Sequence, residues 1–229
     1  MKTSIFLALL ISSVQVLADI QVAVIDTGFC PKLLTIKPNI KIEKVIDLTD
    51  SIKEDYCKKF NKSSPRFHGH LVLQTFIDQL QNTQEKIIIT PLIVFDKNGK
   101  QLANYWQQAL KKHYDFILSG AQLMTNEKIA TDLQGQWFVA APHLNPGVYK
   151  ESIFFPASIA PLQNLFIIGS SPDNGQLYKD KVDYYFPDST GELRGSSYAV
   201  SIAAAKAINL CGNEIKANLR SCLVSKTFK

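Results

Sequence analysis

The chain has 229 residues, 46% of them apolar and 20% charged, with a formal net charge of +5. That balance belongs to a globular domain and excludes a disordered chain, a collagen-like chain and a polytopic membrane protein. The charge is mild and no Lys/Arg run exceeds two residues, which disfavours a nucleic-acid partner.

Met1-Lys2-Thr3 is a short positive start, Ser4–Leu17 is almost uncharged and apolar, and Val16-Leu17-Ala18 places compact residues where a signal peptidase reads. That order predicts a signal peptide over 1–18. The competing reading is a buried first helix or strand. Asp19 stands where a bacterial lipid anchor needs Cys. The expected product is one soluble domain over 19–229, secreted or periplasmic, with no further apolar stretch long enough to span a membrane.

Export gives Cys30, Cys57, Cys211 and Cys222 a meaning, because an even set in an oxidising compartment reads as disulfides. The length already suffices for a core, so bridges are not needed merely to make one. Neighbour pairing, Cys30 with Cys57 and Cys211 with Cys222, is the preferred of three connectivities, since each closes a short loop. A zinc site with His68 and His70 is the alternative, disfavoured because no C-x-x-C pair is present.

Ile20–Ile25 reads IQVAVI, a buried strand ended by the turn Asp26-Thr27-Gly28. Lys41–Ile46 alternates as a second strand, and Asp50–Pro65 is a charged loop. From His68 the spacing of Val72, Phe76 and Leu80 predicts a helix. Lys86–Phe95 holds another apolar run, in which Pro91 suggests a break or a sheet edge. Leu102, Trp106, Ala109 and Leu110 mark an amphipathic helix. Phe116–Leu118 and Trp137–Ala141 read as short strands with room for a helix between them, and Leu165–Ile168 as one more. Tyr198–Leu210 is apolar nearly all round, hence a buried central helix. Strands alternating with helices predict a three-layer α/β/α domain with a mostly parallel sheet.

Ligands of such sheets bind beyond the carboxyl ends of the strands. Asp26 stands there, where a carboxylate is either a turn former or functional. His68 opens a helix, as a capping or surface residue or as a base. Ser197 precedes the Ala-rich helix, whose N-terminus gathers unpaired N–H groups, so it is either a cap or a nucleophile. The three together say more. A serine hydroxyl needs an imidazole to take its proton, and the imidazole needs a carboxylate to fix its tautomer.

Val24-Ile25-Asp26-Thr27-Gly28 resembles the aspartate motif of the subtilisin-like serine proteases (subtilases), His68-Gly69-His70-Leu71-Val72 their histidine motif, and Gly195-Ser196-Ser197-Tyr198-Ala199 their serine motif. The order Asp, His, Ser is theirs too. Tyr114-Asp115-Phe116-Ile117-Leu118-Ser119-Gly120 is similar to a strand walling the substrate cleft. Phe138-Val139-Ala140-Ala141 followed by Asn145 is similar to the strand leading to the oxyanion asparagine, and Phe155-Pro156-Ala157 to the segment after it. The similarity spans residues 20 to about 208.

The resemblance implies Ser197 as nucleophile, His68 as general base and then acid, and Asp26 as the group that orients His68. It implies Ser197 N–H and Asn145 as oxyanion donors. Leu118, Ser119, Gly120, Val139, Ala140 and Ala141 would line the cleft and pair with extended substrate main chain. His70 stands where the family usually has Thr, Leu71 where it has a second His, and Ser201 where it has Pro. Pro142-His143-Leu144-Asn145 is longer than the usual Ala-Gly-Asn, which makes His143 the alternative donor. No cofactor is implied; calcium occurs in the family, but no ligand residue can be assigned here.

The expected function is an exported serine endopeptidase acting on polypeptide as a monomer, without nucleic acid or membrane partners once the signal is removed. The alternative is a catalytically weak or inactive binding or scaffold protein on the same fold. An unrelated α/β hydrolase is disfavoured because no G-x-S-x-G elbow is present. Asp26 would lie so soon after the signal that the family's pro-domain has no room. The expectation is folding without a covalent pro-segment, aided by the disulfides or by a separate inhibitor or chaperone protein.

Overall fold

The computed structural model describes residues 19–51, 56–81, 85–127, 129, 132–143, 153–171, 178–226 and 228. The expected signal peptide and Asn145 lie outside the described residues.

The chain runs through β1 (Ile20–Asp26), β2 (Ile40–Ile42), β3 (Ile46–Asp47), α1 (His68–Gln79), β4 (Ile87–Ile93), α2 (Ala103–Leu110), β5 (Phe116–Ser119), β6 (Leu123–Met124), β7 (Gln136–Ala140), β8 (Phe154–Phe155), β9 (Leu165–Gly169), β10 (Tyr184–Tyr185), α3 (Gly195–Cys211) and α4 (Ile215–Ser225). Eight strands form one sheet in the order β10-β9-β7-β5-β1-β4-β2, with β3 also pairing β4. Every pairing in that sheet is parallel. β6 and β8 form a separate antiparallel hairpin.

The continuous apolar runs follow from burial on both faces. Val22 and Val24 of β1 turn toward one core, shared with Val72 and Phe76 of α1, Ala203 of α3 and Leu219 of α4. Ala23 and Ile25 turn toward the other, shared with Ala103, Trp106 and Ala109 of α2. The result is the expected three-layer α/β/α domain. On the first face Phe138 stacks between Phe116 and Phe166, with centroids 4.9 and 4.7 Å away.

Three elements differ from expectation. The predicted strand over Lys41–Ile46 is two pieces, β2 and β3, which pair Ile87–Ile89 and Leu92–Ile93 of β4. Pro91 therefore breaks nothing: it falls at the gap between them, while its other side pairs Val24 of β1. Between β5 and β7 the described residues hold β6 instead of a helix. Helix α3 starts at Gly195 rather than Tyr198.

The cysteines pair as neighbours, Cys30 with Cys57 and Cys211 with Cys222, at Cα separations of 5.4 and 6.1 Å. With their sulfurs committed to each other, Cys30 and Cys57 do not join His68 and His70 around a metal. No group of three or more His, Cys, Asp or Glu side chains is placed to hold a metal ion among the described residues. No helix among them is long and apolar enough to cross a membrane.

Candidate active site

Asp26 is the last residue of β1 and is fully buried. A lone carboxylate there would be costly, and two hydrogen bonds offset the cost. Its Oδ1 accepts from Thr27 N–H at 2.7 Å and from His68 Nδ1 at 2.8 Å. A carboxylate only accepts, so Nδ1 carries the hydrogen and Nε2 presents its lone pair. Asp26 Oδ2 is buried with no hydrogen-bond partner among the described residues.

His68 is the first residue of α1. The helix start is fastened to the end of β1: Thr27 Oγ1 accepts from Gly69 N–H at 2.9 Å, satisfying a donor that the first turn leaves open. Close approach requires glycine here. A Cβ on Gly69 would stand 2.8 Å from Asp26 Cβ, and one on Gly120 would stand 2.5 Å from Asp26 Oδ2. The Asp26 charge raises the His68 pKa above its ordinary value; burial opposes this and the hydrogen bond adds to it.

Ser197 lies in the first turn of α3, which Gly195 enters at a φ of +63°, left-handed backbone that glycine adopts without strain. Ser197 Oγ donates to the Gly120 carbonyl at 3.4 Å. Asp26, His68, Gly120 and Ser197 line one cavity of about 590 Å³, walled also by Lys62 and Glu192. Those two charges approach to 4.0 Å across it. Ser197 and Gly120 also border a smaller cavity, where Ala140 and Ala141 lie.

Leu118, Ser119 and Val139 do not line either cavity. All three are fully buried. Their main chains are already paired on both sides, β5 with β1 and β7, and β7 with β5 and β9. Asn145 lies outside the described residues.

The departures from the resembled motifs are accommodated. Ser201 Oγ donates to the Ser197 carbonyl at 2.8 Å within the helix. His70 is buried edge-to-face on Phe60, with centroids 4.6 Å apart. Sequence reasoning missed Lys62 and Glu192, which sit in irregular segments where no periodicity marks them.

No family model matches the chain, and no curated protein matches it. Solved structures do. The prenylagaramide maturation protease PagA superposes with a TM-score of 0.56 at 17% identity, over 86% of this chain and 76% of that one. A serine-to-alanine mutant of the protease domain of PatA superposes with a TM-score of 0.56 at 13% identity, over 88% of this chain and 83% of that one. The chain thus has the fold of these proteases, the subtilisin-like α/β fold.

Proposed function

We propose that this chain is an exported serine endopeptidase, with Ser197 as nucleophile, His68 as base and Asp26 as the group that orients it. The observation that carries the reading is the 2.8 Å bond between His68 Nδ1 and Asp26 Oδ1, at the edge of the cavity that Ser197 lines. With Nδ1 held, Nε2 is the basic nitrogen. It takes the Ser197 proton as Oγ bonds to a peptide carbonyl carbon, and the imidazolium formed is stabilised by the buried carboxylate. The same proton then goes to the departing amine, leaving an acyl-enzyme that water hydrolyses by the reverse route. Ser197 N–H, in the first turn of α3, is an oxyanion donor. The mature unit is the single domain over 19–229, acting on polypeptide as a secreted or periplasmic monomer, under the control of a separate inhibitor or chaperone protein.

One observation favours a catalytically weak binding or scaffold protein instead: Ser197 Oγ is directed at the Gly120 carbonyl. Resting nucleophile–base bonds commonly tighten only when substrate is present, so the protease reading is preferred. The two separate in a digest of an unfolded polypeptide followed by mass spectrometry. New termini with the wild-type protein and none with Ser197→Ala support the protease. Intact substrate with folded, oxidised wild type sinks it.

A further inference from the structure

The smaller cavity beside Ser197 encloses about 210 Å³, and His143 stands on its wall with Ser196, Gly120 and Ala141. His143 stands three residues past the end of β7. Its Nε2 is 2.8 Å from Ser196 Oγ, the hydroxyl next to the nucleophile in the chain. A Cβ on Gly195 would stand 3.5 Å from the same nitrogen. The imidazole is therefore fixed over the first turn of α3, on a cavity that Ser197 borders, while His68 borders the larger one. Ser196 is itself buried, and its hydroxyl anchors His143.

The geometry points to His143 as the side-chain oxyanion donor of this site, in place of the asparagine that the motif resemblance suggests two residues further on. This rests on the protease reading above. The role requires the Nε2–H tautomer, which in the resting protein would donate to Ser196 Oγ 2.8 Å away. When Ser197 Oγ bonds to the scissile carbon, its proton passes to His68 Nε2 and the carbonyl π pair moves onto oxygen. That oxygen accepts hydrogen bonds from Ser197 N–H and His143 Nε2–H, and no proton leaves His143. On collapse the C=O re-forms, the C–N bond breaks, and His68 gives its proton to the amine. Donors held in place before charge develops on the oxygen stabilise the transition state more than the bound substrate, so their loss appears in kcat.

The test compares full-length wild type, His143→Ala, His143→Gln and Asn145→Ala. It follows kcat and KM on a chromogenic peptide, fluorophosphonate labelling rate and thermal unfolding. Loss of the donor lowers kcat by about 100- to 1,000-fold with KM within about threefold. His143→Gln, which keeps an N–H donor, recovers at least about tenfold of that loss. A change in unfolding midpoint without the kcat–KM split marks His143 as structural and overturns the proposal. So does a His143→Ala enzyme within about threefold of wild type, with the loss appearing in Asn145→Ala instead. Wild type that neither labels nor cleaves overturns the protease reading and this assignment together; wild type that labels no faster than His143→Ala overturns the assignment alone.

Discussion

Gly120 adjoins all three residues of the candidate triad: its carbonyl accepts from Ser197, and a Cβ on it would stand 2.5 Å from Asp26 Oδ2 and 3.4 Å from His68 Cε1. Gly120→Ala would drive a methyl group into that buried oxygen and into Val72, 2.9 Å away. The expected result is loss of labelling at Ser197 together with a lowered unfolding midpoint; an alanine variant with wild-type labelling would show that the contact is not constraining. Asp26→Asn keeps the shape but removes the charge and introduces an N–H donor that favours the wrong His68 tautomer, so kcat should fall by about 10⁴-fold. The same carboxylate sets the pH response. If His68 is the base, its raised pKa places the acid limb of kcat/KM above the ordinary histidine value of about 6.5, since a base acts only when neutral. Its stabilising contribution is full below about 6.5 and is lost as pH rises through the folded value. His70 has the opposite sign. Burial first, and the Lys62 charge second, lower its pKa to about 4. The unfolded chain binds that proton below about 6.5 while the fold resists it until about 4, so stability falls as pH drops across this window, by roughly 3 kcal/mol. Urea unfolding at pH 7 and pH 4.5 checks it: His70→Thr should lose less stability on acidification than wild type, and equal losses would contradict the assignment.

At the scale of elements, long apolar runs were legible and short pieces were not. β1, β4 and α1 declare themselves because each buries a full period of apolar side chains. β6, β8 and β10 hold two residues each, too few for any period, and only their neighbours define them. Gly195-Ser196-Ser197 is polar and so hides the start of α3, although those residues form the turn that carries the candidate nucleophile. The candidate triad is readable as motifs at three element ends. That β5 and β7 are closed on both sides is not, because strand order is a property of the assembled sheet. The aromatic stack through β5, β7 and β9 is the central packing unit of one face. Phe138→Ala would leave a cavity between two rings and cost about 3–5 kcal/mol, measurable as a lowered urea midpoint at unchanged slope. A loss under about 1 kcal/mol would mean that the stack collapses around the gap.

Across the whole molecule, Asp26, His68 and Ser197 come from distant parts of the chain, and the sheet order brings their carriers together. Cys30–Cys57 ties the segment after Asp26 to the one before His68, closing a loop of 27 residues. In the chain-entropy picture that bridge contributes roughly 3 kcal/mol. A Cys30→Ser/Cys57→Ser variant should therefore unfold at lower urea, and reduction should slow recovery of activity after unfolding; identical behaviour would show the bridge to be dispensable. Ser197 as a nucleophile activated through His68 and Asp26 predicts selective reaction with an electrophilic probe. The measurement is fluorophosphonate labelling of the oxidised protein followed by peptide mapping. A single adduct on Ser197, absent after Ser197→Ala and strongly slowed in Asp26→Asn, is the predicted result. No adduct on folded wild type, or one on Ser196, would contradict it.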